Sequence, residues 1–105
     1  GINAEYGEMS EIEATVDRIS KHPGVIGIMV LLNDGTVLRS TFNNEETTKY
    51  SKILLPFAQL AISSIRDVDP LNDLTFSKIQ SDKREIIIIP SEQYYVVAFT
   101  SNVNQ

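Results

Sequence analysis

Several residues and motifs that many functions require are absent from this sequence of 105 residues. It contains no cysteine, which excludes disulfides, thiolate nucleophiles and cysteine-based zinc sites. Its one histidine, His22, cannot form a metal-binding pair, and its position at the end of a predicted helix favours a capping role over catalysis. Neither of the glycine-rich loops that bind phosphates, G-x-x-x-x-G-K-[ST] and G-x-G-x-x-G, is present. We therefore expect a protein that is not an enzyme and that binds no metal or cofactor.

The charge and hydropathy of the chain exclude further classes of protein. The formal net charge is −5 and the nine basic residues are scattered, which argues against a nucleic-acid partner. The same balance disfavours an anionic membrane surface, and no apolar run approaches the roughly 18 residues of a membrane span. With 42% hydrophobic residues, the composition is typical of one globular domain, which we expect in the cytoplasm. We place this domain at residues 10–100, between a flexible N-terminus over residues 1–9 and a C-terminal tail over residues 101–105.

The order of predicted elements is one helix, two strands, a second helix and three strands. Ser10 and Glu13 form a capping box that begins the first helix, and the turn sequence Asn33-Asp34-Gly35 joins the first two strands as a hairpin. The predicted helices span residues 11–21 and 45–66, and the predicted strands span 25–32, 36–42, 74–80, 85–90 and 93–99. This order predicts an α+β fold, α-β-β-α-β-β-β, with a five-stranded antiparallel sheet and one helix on each face. Strand 74–80 alternates and carries Lys78, which is typical of an edge strand.

The second predicted helix has a wide apolar face. At ~100° per residue its apolar side chains sweep an arc of about 220°, whereas packing on one sheet needs a stripe nearer ~100°. Leaving Leu55 and Ile62 in water would forgo ~1.5–3 kcal/mol for each side chain, which favours a second partner surface. Alternatively, a kink at Pro56 turns both halves of the helix toward the same sheet. A second copy that packs beside this helix and pairs along strand 74–80 would cover both the helix and the open strand edge.

An acidic segment, here called the elbow, joins the second helix to the third strand. It contains Arg66, Asp67, Asp69, Pro70, Asn72 and Asp73. An EF-hand loop that began at its first aspartate would need an oxygen ligand, glycine and glutamate at its fifth, sixth and twelfth positions. The chain has leucine, asparagine and lysine there. Because the Asp-Pro pair ends a helix and fixes a turn, we interpret the elbow as a structural joint rather than a ligand site.

Three stretches of the sequence are similar to a known family. They are GVIGIMVLLNDGTVLRST at residues 24–41, IRDVDPLNDLTFSKIQS at residues 65–81 and EIIIIP at residues 85–90. These stretches resemble the dynein light chains of the roadblock type, whose members carry G-V-x-G-I-x-V, R-D-x-D-P-x-N-D-L-T-F and E-I-x-x-x-P in the same places. The resemblance covers about residues 11–99, and the elbow motif is long and specific.

The resemblance implies a profilin-like domain that forms a two-fold homodimer, or a heterodimer with a paralogue. The two copies would join through the second helix and the third strand and would share one ten-stranded sheet. The implied dimer interface consists of Phe57, Leu60, Ala61, Leu74, Phe76 and Lys78, with the elbow fixing the path from helix to strand beside it.

The function that the resemblance implies is that of a non-catalytic light chain of a dynein motor. Such a chain binds the dynein intermediate chain in microtubule-based transport, in the cytoplasm and cytoskeleton, with a cilium or flagellum as a further location. The alternative is a roadblock-type scaffold or regulator of a small GTPase; without a nucleotide loop, this chain would act on a GTPase rather than be one. One face of the predicted sheet is covered only by the first, short helix. We therefore also expect apolar positions of strands 25–32 and 93–99 on that face to receive a helix from a partner.

Overall fold

Two helices and five strands follow one another in the order that the sequence predicts. In the computed structural model, the backbone is described for residues 2–101 and the side chains for residues 10–101. The helices are α1 (Ile2–Ser20) and α2 (Asn44–Val68), and the strands are β1 (Val25–Leu32), β2 (Val37–Ser40), β3 (Ser77–Gln80), β4 (Arg84–Pro90) and β5 (Tyr94–Ser101).

All five strands form one antiparallel sheet in the order β2-β1-β5-β4-β3. The three most apolar strands, β1, β5 and β4, lie in the middle, and the short strands β2 and β3 lie at the edges. The predicted α+β fold with a five-stranded antiparallel sheet is confirmed, and so is the position of β3 at an edge.

Alternation along β1 divides the core between the two faces of the sheet. Ile28 and Val30 pack toward α1, whereas Met29 and Leu31 pack toward α2, and all four are at most 1% exposed. Successive side chains of a strand point to opposite faces, so a strand buried on both faces must be apolar throughout. One helix therefore covers each face, as predicted.

The buried residues form one cluster under each helix. The cluster under α1 contains Ile12, Val16, Ile28, Val30 and Val96. The cluster under α2 contains Met29, Leu31, Leu54, Ala58, Ile88, Tyr95, Val97 and Phe99. α1 itself buries Ile28, Val30 and Val96, whereas Ile26 of β1 is 49% exposed. Whether β1 and β5 receive a partner's helix remains a prediction.

Two predicted element boundaries are wrong by three residues or more. α1 begins at Ile2 rather than near Glu11, so Ser10 lies inside the helix and does not cap it. The backbone of residues 2–9, expected to belong to a flexible N-terminus, is helical; this segment contains alanine, glutamate and methionine, which favour helix, and no proline. β3 begins at Ser77 rather than residue 74. Ser101 ends β5, and the rest of the predicted C-terminal tail lies outside the described residues.

The predicted hairpin turn between β1 and β2 is confirmed. Gly35 has a positive φ of 96°, and its amide donates to the carbonyl oxygen of Leu32 at 3.0 Å. Glycine adopts this conformation without the steric cost that a Cβ would bring. The amide of Thr36 donates to Asp34 Oδ1 at 2.9 Å. The hydrogen bonds from Thr36 lower the pKa of the Asp34 carboxyl, because they favour its charged form.

Gly27 in β1 lies directly beneath the ring of Phe42. A Cβ at position 27 would overlap the far end of that ring. The ring is held from two other sides, since its centroid lies 5.1 Å from that of Tyr50 and 4.8 Å from that of Phe99, both in edge-to-face geometry. The aromatic cluster therefore requires glycine at this position, and it anchors the start of α2 over the middle of the sheet.

We predict that Gly27→Ala destabilises the domain by about 1–3 kcal/mol, because the added methyl group displaces a ring that packs edge-to-face against Tyr50 and Phe99. Urea unfolding followed by circular dichroism measures the change.

The matched control for this prediction is the same substitution in a Phe42→Leu background. Leucine lacks the ring atoms that the new Cβ would meet, so Gly27→Ala should cost much less there. An equal loss of stability in both backgrounds would contradict the proposed steric cause.

Candidate protein-binding site

A row of apolar side chains lies exposed along one flank of α2. Ile53, Phe57 and Leu60 are 58%, 36% and 64% exposed, respectively. Their i, i+4, i+7 spacing places them on one face of the helix, one turn after another. We call these three residues the α2 stripe. Exposed apolar rows of this kind mark surfaces for contact with another protein.

The other faces of α2 are accounted for within the chain. Leu54 and Ala58 are buried against the sheet, and Leu55 and Ile62 are partly buried against the same core. The expectation that Leu55 and Ile62 require a second partner surface is therefore wrong, because they pack on their own sheet. The surplus of apolar surface lies in the α2 stripe instead.

Pro56 does not interrupt α2, which runs from Asn44 to Val68 as one helix. Its ring is on the exposed side of the helix, away from the core. A kink at this residue remains a prediction.

The edge strand β3 offers unpaired backbone groups. β3 pairs with β4 on one side, from Ser77 opposite Ile88 to Gln80 opposite Glu85, and no strand among residues 2–101 pairs with its other side. Free strand edges of this kind accept a strand from another molecule. Lys78 on this strand forms an ion pair with Glu85, with Nζ 3.2 Å from Oε2.

The six predicted interface residues fall into two segments. Phe57, Leu60 and Ala61 lie on α2, and Lys78 lies on β3, whereas Leu74 and Phe76 precede β3 rather than belonging to it. Phe76 is 54% exposed, while Ala61 and Leu74 are partly buried. Whether these residues meet a second copy remains a prediction. Ile53 was not among the predicted residues, although its position four residues before Phe57 places it on the same face.

The elbow forms a turn between α2 and β3. The amide of Asp69 donates to the carbonyl oxygen of Ile65 at 2.9 Å at the end of the helix, and the amide of Asn72 donates to the carbonyl oxygen of Asp69 at 2.9 Å. Asp69 Oδ1 accepts a hydrogen bond from the amide of Leu71 at 3.2 Å. Pro70 lies within this turn, where its fixed φ suits the second position.

One ion pair spans the elbow. Arg66 donates from Nε and Nη2 to Asp73 Oδ1, at 3.3 and 3.2 Å. Both side chains are mostly exposed, so the pair contributes only about 0–1 kcal/mol to stability. The side chain of Asp67 is exposed. Within residues 10–101, no three acidic or histidine side chains are placed to hold a metal ion.

A shallow groove of about 550 Å³ lies beside the elbow, on the flank of α2 opposite the stripe. Its lining combines apolar and charged side chains: Ile62, Arg66, Asp73, Leu74, Pro90, Ser91 and Glu92. No polar or charged residue is fully buried among the described side chains. The surfaces that the chain presents are thus suited to binding, with the α2 stripe and the β3 edge among its unsatisfied features.

A family model described as Roadblock/LC7 domain matches residues 11–100 of this chain. The chain belongs to the Roadblock/LC7 family. The resemblance noted from the elbow motif is therefore confirmed at the level of the family.

Solved structures of roadblock proteins share the fold. A Roadblock/LC7 domain from Streptomyces avermitilis has a TM-score of 0.72 at 10% identity, over 79% of this chain and 71% of that chain. MglB from Myxococcus xanthus has a TM-score of 0.74 at 16% identity, over 91% of this chain and 80% of that chain. A structure described as MglB with tetrameric arrangement has a TM-score of 0.70 at 11% identity, over 89% and 73%. At these identities the likeness concerns the fold.

The predicted dynein function is wrong. The structural neighbours reported above are roadblock proteins of the bacteria Streptomyces avermitilis and Myxococcus xanthus rather than dynein light chains. The prediction of the dynein intermediate chain as a partner is therefore also wrong, and so are the predicted microtubule, cytoskeletal, ciliary and flagellar locations. Among the described residues, neither helix is both long enough and apolar enough to span a membrane.

We predict that Phe57→Asp or Leu60→Asp produces monomers, or raises the dissociation constant of a dimer at least about 100-fold, because each would bury uncompensated carboxylates where two helices meet. Size-exclusion chromatography with light scattering measures the mass of each variant.

Ser63→Asp is the matched control, since it adds the same charge to an exposed position on the polar side of α2. This variant should keep the mass of the unaltered protein. If Phe57→Asp and Leu60→Asp also keep it, the α2 stripe is not the interface.

Proposed function

We propose that this roadblock domain is a non-catalytic, homodimeric scaffold or regulator of a small GTPase. The observation that carries the proposal is that the chain leaves open both the α2 stripe and one edge of β3, which together offer a second copy an apolar surface and a strand to pair with. Domains related to the roadblock light chains scaffold or regulate small GTPases, which favours this function over others open to the fold. The tetrameric arrangement named for one MglB structure supports self-association.

The apolar stripe alone does not account for a stable dimer. Full burial of a large apolar side chain contributes ~1.5–3 kcal/mol, and these side chains are already partly covered, so about 1 kcal/mol each is a fair estimate. Six side chains from two copies then contribute roughly 6 kcal/mol, against an association cost of ~4–15 kcal/mol. Strand pairing must therefore add to the helix contact.

A dimer with one two-fold axis combines the helix contact with the strand pairing. If β3 of each copy pairs antiparallel with the other, α2 of each copy lies beside its counterpart over the extended sheet. The same surface patch then serves both copies, as a two-fold interface demands. The same contact pairs the open edge of β3, whose free backbone groups otherwise can pair with strands of other molecules.

The chain acts on a GTPase rather than being one. It has no G-x-x-x-x-G-K-[ST] loop, whose backbone amides and lysine hold the phosphates of a nucleotide. Regulation must therefore operate by contact with the GTPase surface. A dimer offers two copies of each such contact surface, including the groove beside the elbow.

We predict that the purified dimer binds at least one small GTPase of its source organism. Each GTPase is loaded with GDP or with a non-hydrolysable GTP analogue, and binding is measured by biolayer interferometry. A regulator should distinguish the two nucleotide states and change the rate of GTP turnover, whereas a scaffold should bind both states alike and leave the rate unchanged.

The Leu60→Asp variant tests whether the dimer is the platform, since its binding should weaken if the GTPase contacts both copies. The proposal fails if no small GTPase of that organism binds the unaltered protein in either nucleotide state.

A further inference from the structure

A second groove adjoins the groove beside the elbow, on the same flank of α2. It has a volume of about 370 Å³ and is lined by Gln59, Ile62, Ser63, Arg66, Asp67 and Tyr95. Ile62 and Arg66 line both grooves, so the two are continuous across these side chains. We call this continuous depression the flank groove.

The hydroxyl group of Tyr95 lacks a partner within the chain. Tyr95 is 5% exposed and belongs to the core beneath α2, yet its Oη atom forms no hydrogen bond with the described residues. Among the described side chains, Ser77 Oγ is the one fully covered atom without a partner, so Tyr95 Oη keeps a small exposed area. Buried tyrosines usually find a partner for this group. A molecule bound in the groove that Tyr95 lines would supply one.

Asp67, on the rim of the flank groove, also lacks a partner among the described residues. Asp69 and Asp73, by contrast, accept hydrogen bonds from the amide of Leu71 and from Arg66. Asp67 lies in the last turn of α2, where the free carbonyl groups carry partial negative charge and disfavour a carboxylate. A cation from another molecule would compensate for this repulsion.

The charge around the flank groove is negative. Its lining includes the three carboxylates of Asp67, Asp73 and Glu92 and the one guanidinium of Arg66. That guanidinium already donates to Asp73 from Nε and Nη2, which leaves it poorly placed to hold an anion. The whole chain carries a formal net charge of −5. Charge complementarity therefore favours a cationic partner.

The floor of the flank groove is apolar. Ile62, Leu74 and Pro90 line it and are each partly buried. Small-molecule sites enclose most of their ligand, whereas this groove is shallow and open along its length, which suits a peptide held by several weak contacts. An extended peptide offers backbone groups to Tyr95 Oη, which can both donate and accept, and side chains to Asp67 and Ile62.

We propose that the flank groove binds an extended basic segment of a partner protein, in which a lysine or arginine pairs with Asp67 and a neighbouring apolar side chain covers Ile62. The backbone of the segment completes the hydrogen bonding of Tyr95. This inference goes beyond the proposed function, since it requires neither a GTPase nor a second copy of the chain. It departs from the prediction that the elbow binds no ligand, and the following experiment decides between the two.

NMR titration of the isotope-labelled protein locates the contact. The probe is the capped peptide acetyl-Gly-Leu-Arg-Leu-Gly-amide at millimolar concentrations, and its matched control carries Glu in place of Arg. The arginine peptide should shift the backbone amide signals of residues 59–67 and 91–95, whereas the glutamate peptide should leave them in place, because it meets like charges there.

Two substitutions test the polar contacts. Asp67→Asn removes the charge at constant size and should raise the dissociation constant of the arginine peptide about two- to fivefold, as expected for an exposed ion pair. Tyr95→Phe removes only the hydroxyl group and should raise it about two- to tenfold. Asp17→Asn is the control, since it removes the same charge from an exposed position on α1 and should leave the dissociation constant unchanged.

Equal shifts from both peptides, shifts confined to other parts of the chain, or no shift at all would overturn the inference. Equal weakening by Asp67→Asn and Asp17→Asn would also overturn it, because the peptide would then respond only to the overall charge. None of these results alters the GTPase measurements described above, so the inference and the proposed function fail separately.

Discussion

The packing of α2 on one face of the sheet constrains the rest of the molecule. Leu54 and Ala58 fix the buried side of the helix, and the aromatic contact of Phe42 with Tyr50 fixes its first turns. With these contacts made, the α2 stripe has no sheet of its own to cover it. A contact that stabilises the single chain thus leaves exposed the surface to which we propose that a second copy binds.

The elbow connects the two elements that form this surface. It directs the chain from the end of α2 into β3 through a short turn, held by backbone hydrogen bonds and by the carboxylate of Asp69. Its charged pair, Arg66 with Asp73, is too exposed to stabilise the fold much. The carboxylate of Asp69 is therefore explained by the geometry of the joint, and that the elbow binds no ligand remains a prediction.

Structural features that depend on residues close together in the sequence were predicted correctly. The hairpin at Gly35, the order of elements and the edge position of β3 follow from turn chemistry and from the period of two along strands. The exposed side of α2 was harder to predict, because a wide apolar arc does not say which part of it lies on the sheet. Only the position of the sheet shows that Leu55 faces inward and Leu60 outward.

The motif that identified the family did not identify the function. Its residues build the first hairpin, the elbow and β4, which any roadblock domain needs whatever it binds. A fold hosts many functions, and partners are chosen by surface side chains outside such motifs. The start of α1 was predicted wrongly because Ser10 and Glu13 match a capping box, whereas the residues before them also favour helix.

One chain leaves apolar surface which, we propose, a second copy covers. Sedimentation equilibrium of the unaltered protein at micromolar concentrations shows whether that second copy is present. We predict a mass of twice the 11.7 kDa of the chain. A single species of 11.7 kDa that remains folded and soluble across those concentrations would contradict it.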